Sequence, residues 1–149
     1  MNLKRADALR REINMREIRF RIWNKERREM RSSHNVVLDA QGSIYWQFGY
    51  EAPMPLLRDD HEIMFFTGLK DKNGKDIYEG DVAKITTALF PETKLDTYTD
   101  ISVMEFCEKT AQFKFMVKNS LLEGDEIPVM SVEVIGNIYQ NPELLTTPK

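Results

Sequence analysis

Cysteine, histidine and long apolar runs are all scarce in this chain of 149 residues. The single cysteine, Cys107, excludes an internal disulfide and favours a reducing, cytoplasmic location. No apolar run approaches the roughly 18 residues that suggest a membrane span, so we expect no membrane partner. The polar, charged N-terminal residues lack the apolar segment of a secretory signal. The sequence therefore predicts a cytoplasmic protein.

The sequence also contains few combinations of side chains that could act in catalysis. With two histidines, the chain offers no Ser/His/Asp or Cys/His combination for nucleophilic catalysis. Glu79 and Asp81 could act as paired acids. Because they flank Gly80, they more simply form a turn whose carboxylates bind backbone N–H groups. We predict no enzymatic activity, no catalytic residue and no cofactor.

Two acidic segments resemble metal sites only superficially. Counted from Asp71 as a calcium loop, position six holds Asp76 and position twelve holds Val82, where glycine and glutamate are needed. Residues 59–62, Asp-Asp-His-Glu, cluster possible ligands, but adjacent residues of a strand point to opposite faces. We predict no metal site. A metal-dependent enzyme around residues 59–62 is the weakest alternative.

Charge is distributed unevenly, although the formal net charge is only −3. Residues 1–31 hold eleven Lys and Arg against five Asp and Glu, and the remaining residues hold ten against nineteen. A basic arm on an acidic body could reach nucleic acid, with Trp23 or Tyr45 stacking on bases. The alternatives are a solvated sheet face, or contact with the acidic body of the same chain or a neighbouring subunit. The candidate nucleic-acid-binding residues are Arg16, Arg19, Arg21, Lys25, Arg27 and Arg28.

Turn signals are strongest in the middle of the chain. Asn73-Gly74 lies between two apolar runs, and this pair tolerates positive φ at both central positions of a tight hairpin turn. Gly80-Asp81 is a second turn signal. Gly136 interrupts a strand-like run and predicts a bulge or kink.

Short strands dominate the remaining pattern, with a helix predicted at each end. Residues 2–13 predict a helix with Leu3, Ala6, Leu9 and Ile13 on one face. Asn141 and Pro142 predict the N-cap and first residue of a C-terminal helical turn. Strands are predicted at 17–23, 29–31, 35–38, 43–48, 62–66, 82–85, 101–106, 112–117 and 129–139, and loops at 49–61 and 88–100.

These patterns predict a mainly β protein, α+β at most, built from short antiparallel strands. We expect a helical extension at residues 1–14, a β-meander with its linker at 15–62, and an SH3-like barrel at 63–149. Residues 77–140 suggest the barrel because their order is a strand after Gly-Asp, a long loop, a hairpin, a last strand and a helical turn.

Four segments together resemble the YopX family of small bacteriophage and prophage proteins. They are MREIRFRIWNKE at 15–26, FTGLKDKNG at 66–74, IYEGDV at 77–82 and VIGNIYQNPELL at 134–145. The resemblance implies a homo-oligomer in the cytoplasm of a bacterial host, with no known catalytic residues to carry over. The family pattern starts near Met15, so residues 1–14 are either a genuine extension or the product of an upstream start codon.

We therefore predict a non-enzymatic, homo-oligomeric protein that binds another macromolecule. A nucleic-acid-binding protein using the basic arm is the alternative, and the identity of any protein partner is left open.

Overall fold

The computed structural model describes residues 18–41, 43–56, 60–90, 95–116 and 129–146. Its strands are antiparallel, and they form a curled half-barrel. The predicted mainly β class is thereby confirmed. The strands are Phe20–Asn24 (β1), Glu29–Ser32 (β2), Val36–Leu38 (β3), Ile44–Trp46 (β4), Met54–Pro55 (β5), His61–Lys70 (β6), Asp76–Tyr78 (β7), Asp81–Phe90 (β8), Leu95–Cys107 (β9), Gln112–Met116 (β10) and Val129–Asn137 (β11).

The first four-stranded sheet has the order β2-β1-β6-β7. Its centre is β1, whose alternating sequence puts Phe20 and Ile22 on one face. Ile22 is fully buried and Phe20 packs beside it, as the alternation predicted, whereas Ile18 precedes the strand and is 75% exposed. Because β1 pairs with β6, this sheet crosses the expected boundary at residue 62. The division into an N-terminal meander and a C-terminal barrel stays a prediction.

A small sheet with the order β3-β4-β5 covers part of β1. Ile44 and Leu56 from this region join Ile22 in one core cluster. The predicted loop at 49–61 is therefore wrong in part, since Met54 and Pro55 pair with β4. A two-residue edge strand that contains proline gives almost no period-2 signal, which explains the error.

The second four-stranded sheet has the order β10-β9-β8-β11. Its core is Ile77, Met104 and Val134. The predicted loop at 88–100 is wrong at 88–90 and at 95–100, because β8 runs to Phe90 and β9 begins at Leu95. Threonines of the two strands pair directly, as at Thr86 and Thr99. Threonine has a branched Cβ and therefore favours a strand even where the strand is exposed to solvent, so the polarity of this segment was not evidence for a loop.

The C-terminal turn is a 3₁₀ helix at Pro142–Leu145, with Pro142 in its first turn as predicted. Asn141 occupies the N-cap position, but its side chain forms no cap hydrogen bond. Asn137 instead accepts the backbone N–H groups of Tyr139 and Gln140. The predicted bulge at Gly136 is confirmed by a register shift against β8. The predicted N-terminal helix lies outside the described residues.

Candidate functional site

Arg19 precedes β1 and faces the carboxylate of Asp76 at the start of β7. Its Nη1 lies 2.6 Å from Asp76 Oδ2, and its guanidinium carbon lies 3.9 Å from the centre of the Phe66 ring. Lys70 also reaches Asp76, at 2.6 Å. Hydrogen bonds from Arg19 and Lys70 lower the pKa of Asp76. This arginine is thus held by a counterion and an aromatic face.

Arg21 makes a second pair with Asp81, the first residue of β8. Its Nε donates to Met64 Sδ at 3.4 Å, and its guanidinium carbon lies 4.7 Å from the centre of the Tyr78 ring. Asp81 also accepts the Tyr78 N–H at 2.8 Å. Burial raises the pKa of Asp81, although Arg21 and the Tyr78 N–H both favour its ionised form. We call Arg19, Arg21, Asp76 and Asp81 the arginine clamp.

The arginine clamp changes the meaning of the predicted basic face. Alternation correctly put Arg19 and Arg21 opposite Ile22, but that face meets two carboxylates from β7 and β8. Two such pairs tie the first described strand to the centre of the chain. The ion pairs of the arginine clamp hold β1 against β7 and β8.

The other members of the predicted arm are divided between ion pairs and solvent. Lys25 Nζ lies 2.7 Å from Glu62 Oε1. Arg27 and Arg28 occupy the exposed turn between β1 and β2. Arg16 lies outside the described residues. The structure therefore divides the five described candidates between ion pairs and an exposed turn, and nucleic-acid binding by the set stays a prediction.

The two aromatics proposed for base stacking are used within the fold. Trp23 is buried and stacks on Tyr139 with ring centres 5.8 Å apart. The Tyr45 hydroxyl donates to Asp39 Oδ2 at 3.2 Å. Exposed aromatics in the described part of the chain include Phe48 and Tyr50, as well as Tyr98 and Phe106 of β9.

The β6–β7 hairpin is shaped by Asp71 at least as much as by Asn73-Gly74. Asp71 Oδ1 accepts the backbone N–H groups of Asn73 and Lys75, and its Oδ2 accepts the Val134 N–H at 3.0 Å. Burial opposes ionisation of Asp71, but these N–H groups outweigh it and lower its pKa. The hairpin tip is therefore bonded to β11.

The predicted backbone of that turn is partly wrong. Gly74 has a φ of +80°, whereas Asn73 is not among the residues with positive φ. The Gly74 N–H donates to the Asp71 carbonyl, which is the pattern of a three-residue hairpin loop ending in a left-handed glycine. Asp71 favours this loop because its carboxylate accepts the Asn73 and Lys75 N–H groups, which point toward it.

Gly80 is required where β7 turns into β8. Its φ is +76°, and a Cβ atom there would lie 3.0 Å from Met64 Cε and 3.3 Å from Ile138 Cδ1. Its N–H donates to the Met104 carbonyl, and its own carbonyl accepts the Ile138 N–H. The turn signal at Gly80-Asp81 thus marks a junction between the sheets.

Glu79 and Asp81 are not a matched acid pair. Burial raises the pKa of both carboxyls, but Arg21 opposes this at Asp81, whereas Glu105 adds to it at Glu79. Burial also raises the pKa of nearby Tyr139. The two carboxylates therefore stand in different surroundings.

The side chains of the acidic run at residues 59–62, which leads into β6, have separate partners in the fold. The Asp60 carbonyl accepts the Lys25 N–H, Glu62 pairs with Lys25, and His61 Nε2 lies 3.0 Å from Asn24 Nδ2. Asp59 lies outside the described residues. Among the described residues, no group of three His, Cys, Asp or Glu could hold a metal ion. Within the same residues, no helix is long and apolar enough to cross a membrane.

Sequence reasoning allowed the arm to contact the acidic body of the same chain, but it did not identify Asp76 and Asp81 as the partners or the role of Asp71. Asp76 and Asp81 stand 57 and 60 residues from their arginines, so no local pattern joins them. A usable signal was present only at Asp71, because Asp two residues before Asn-Gly commonly bonds backbone N–H groups ahead of it.

The fold and the clamp define a class: a small antiparallel β protein whose polar cluster holds strands together. Comparison with protein families then gives the particular assignment. A model described as YopX protein matches residues 19–146. The chain belongs to the YopX family, as its four motifs indicated.

One solved structure is similar over most of the chain. It is the crystal structure of protein EF1440 from Enterococcus faecalis, with 25% sequence identity and a TM-score of 0.53. The match covers 87% of this chain and 98% of that one. A comparison with curated protein sequences gave no match.

Proposed function

We propose that this YopX family protein is non-enzymatic and acts as a homo-oligomer that binds another macromolecule in the cytoplasm of a bacterial host. Family membership and the internal engagement of Asp76 and Asp81 support this proposal. The observation that carries it is a row across the second sheet in which two exposed side chains, Tyr98 and Val129, flank the half-buried Thr87.

That row crosses three neighbouring strands. Thr87 of β8 pairs with Tyr98 of β9 on one side and Val129 of β11 on the other. Directly opposed residues of neighbouring strands project from the same face. Tyr98 is 52% exposed and Val129 is 53% exposed. A row with two exposed apolar side chains suits contact with another protein surface, and a second copy is the partner that we propose.

Light scattering tests the oligomer across a range of protein concentrations. We expect a mass above the 17.5 kDa of one chain. The double variant Tyr98→Glu, Val129→Glu should lower that mass, since it places charge in the row. Thr99→Glu is the matched control because Thr99 is exposed on the opposite face of β9. A clean 17.5 kDa monomer at every concentration would remove the oligomer.

Nucleic-acid binding is the second candidate, and the exposed turn between β1 and β2 favours it. Within the described part of the chain, the guanidinium groups of Arg27 and Arg28 are exposed and not ion-paired. Arg31 follows on β2, where it pairs with Glu29 at 2.7 Å and its guanidinium carbon lies 5.8 Å from the centre of the Trp46 ring. Cations near an aromatic ring suit phosphates and unstacked bases.

A salt series distinguishes this candidate. Affinity for single-stranded DNA or RNA should fall steeply with salt, because each neutralised phosphate releases a counterion. Reversing Arg27 and Arg28 to glutamate should weaken binding, whereas Lys109→Glu on the β9–β10 turn should not. A version starting at Met15 measures the share of residues 1–14. Absence of binding at low salt in nuclease-treated protein would exclude the candidate.

A further inference from the structure

The turn between β1 and β2 is held by contacts with β1 and with the start of β6. Asn24 is buried, its Oδ1 accepts the Arg27 N–H at 2.7 Å, and its Nδ2 lies 3.0 Å from His61 Nε2. The Lys25 N–H donates to the Asp60 carbonyl at 2.9 Å. The turn is therefore fixed before a ligand arrives, which lowers the entropic cost of binding.

Arg28 ends this turn in a backbone conformation that favours glycine. Its φ is +54°, in the left-handed region where the Cβ of an ordinary residue is crowded. Both Arg27 and Arg28 are exposed, and within the described residues neither guanidinium forms an ion pair. Contacts inside the described fold therefore do not explain an arginine at position 28. Residues held in such strained conformations are concentrated at functional sites.

The β9–β10 turn has the same length and the same backbone feature. Each turn has four residues between its paired strands, and the last of them has positive φ, which is +52° at Ala111. The residue before each loop accepts the N–H of the third loop residue, Asn24 from Arg27 and Cys107 from Thr110. This kind of turn thus forms with alanine at its left-handed position, so the arginine at 28 is not needed to form it.

The charges of the β1–β2 turn suit an anionic ligand. Lys25 is paired with Glu62 at 2.7 Å, which leaves Arg27 and Arg28 against one exposed acid, Glu26. A guanidinium group binds a phosphate through two parallel N–H donors, so two neighbouring arginines suit a chain of phosphates. Glu26 opposes an anion at this turn, and its removal should therefore strengthen binding.

An exposed aromatic ring lies along the same edge of the fold. Arg31 follows Arg28 by three residues, which is about 10 Å along β2. Arg31 is paired with Glu29, and its guanidinium carbon lies 5.8 Å from the centre of the Trp46 ring. Trp46 stacks on Phe48, which is 48% exposed. A ring that is open to stacking near a phosphate-binding turn favours single-stranded nucleic acid over an acidic protein.

We propose that the β1–β2 turn is a preformed contact for the phosphate groups of single-stranded nucleic acid, and that the arginine at the left-handed position 28 serves this contact. The proposal rests on the nucleic-acid candidate function. It assigns binding to a fixed turn that presents Arg27 and Arg28, and not to the basic arm as a whole.

The affinity of the full chain for fluorescent oligothymidylate, measured across a salt series, tests the contact. Glycine adopts the left-handed conformation without steric cost, so Arg28→Gly should keep or raise the urea midpoint. We expect this variant to bind about fivefold more weakly at low salt. The slope of log affinity against log salt should become shallower by about 0.7, which is the share of one phosphate on a single strand. Arg27→Gln should show the same two changes, and Glu26→Gln should strengthen binding about twofold.

The double variant Lys109→Gln, Ala111→Gly is the matched control. It removes one exposed positive charge and places glycine at the left-handed position of the β9–β10 turn. Its affinity and salt slope should equal those of the wild type.

The possible failures are distinguishable. If the wild type binds and Arg28→Gly binds as tightly as the control, the inference is overturned while the candidate function stands. Absence of wild-type binding at low salt overturns both. Polyglutamate that displaces the probe as well as unlabelled oligothymidylate does, at equal charge, would assign the turn to an acidic protein and overturn the nucleic-acid contact.

Discussion

At the residue scale, Arg19 and Arg21 at the start of β1 are each held by a carboxylate, that of Asp76 and Asp81 respectively. Arg21 and Asp81 are both largely removed from solvent, and the pair is completed by the Tyr78 N–H. Breaking a buried pair by removing one partner is strongly destabilising, because it leaves a buried charge without compensation. Replacing both partners together is far less harmful.

We predict that Arg21→Met destabilises the fold by about 3 kcal/mol at neutral pH. The double variant Arg21→Met, Asp81→Asn should regain part of this loss, because no charge is then left uncompensated. Urea denaturation of the wild type and both variants measures the free energies of unfolding. A double variant that is less stable than Arg21→Met would contradict this account of the pair.

The stability loss in Arg21→Met should depend on pH, and the ionisation of Asp81 gives the direction of that dependence. Its pKa in the folded protein is raised above the ordinary value of 3.8. A raised pKa means that folding favours the protonated acid, so stability from this group decreases as pH rises through that window. Loss of Arg21 raises the pKa further. We therefore predict a larger loss in Arg21→Met at pH 7 than at pH 4, and equal losses would show that Asp81 does not titrate there.

At the scale of elements, the β6–β7 hairpin is tied to β11 by Asp71 and Lys72, whose Nζ also lies 2.5 Å from Glu133 Oε2. Asp71 organises its own turn and reaches the Val134 N–H on the other sheet, while the Lys72 N–H donates to the Val132 carbonyl. A hairpin held in this way moves with the strand it touches. Asp39 does a similar local task in the β3–β4 hairpin, where it accepts the Gln41 and Ser43 N–H groups.

We predict that Asp71→Ala increases hydrogen exchange of the Val134 amide at least tenfold, because that amide loses its acceptor. Asp39→Ala is the control and should leave Val134 unchanged. The Asp71 pKa is lowered from 3.8, so its contribution is present above that value and is lost as pH falls through the lower folded value. The difference between wild type and Asp71→Ala should therefore shrink in acid. Unchanged exchange at neutral pH would show that the contact does not protect β11.

Sequence patterns predicted these elements unevenly. The glycine at 74 marked the hairpin, but Asn73 suggested a two-residue turn that Asp71 overrides. Gly136 marked a real bulge. The end of β8 was missed, because backbone pairing with β9 keeps Thr86 and Thr87 in a strand without apolar alternation.

At the scale of the whole molecule, β1 joins parts of the chain that are distant in sequence. Ile22 belongs to the core beneath β3–β5, Arg21 reaches β8, and Trp23 stacks on Tyr139 after β11. Alternate residues of this one strand therefore contribute to both of its faces. Such a strand couples the first sheet to the second.

We predict that Ile22→Ala lowers the free energy of unfolding by about 2–5 kcal/mol, because it opens a cavity at a fully buried position. Ile18→Ala, at an exposed position, should change it by less than about 0.5 kcal/mol. Circular dichroism and tryptophan fluorescence should report coincident denaturation curves for the wild type. Two separate transitions would instead support independent units at 15–62 and 63–149.

The sequence by itself determined the β class, the family and the positions of the turns at Gly74 and Gly80, because strand alternation and glycine conformations are local properties of the chain. It also located the charged residues of the arm. Only the tertiary structure decided which of them are neutralised, since Asp76 and Asp81 reach Arg19 and Arg21 across some sixty residues of chain. Pairing between distant strands depends on how the sheets assemble, and no local pattern contains that information.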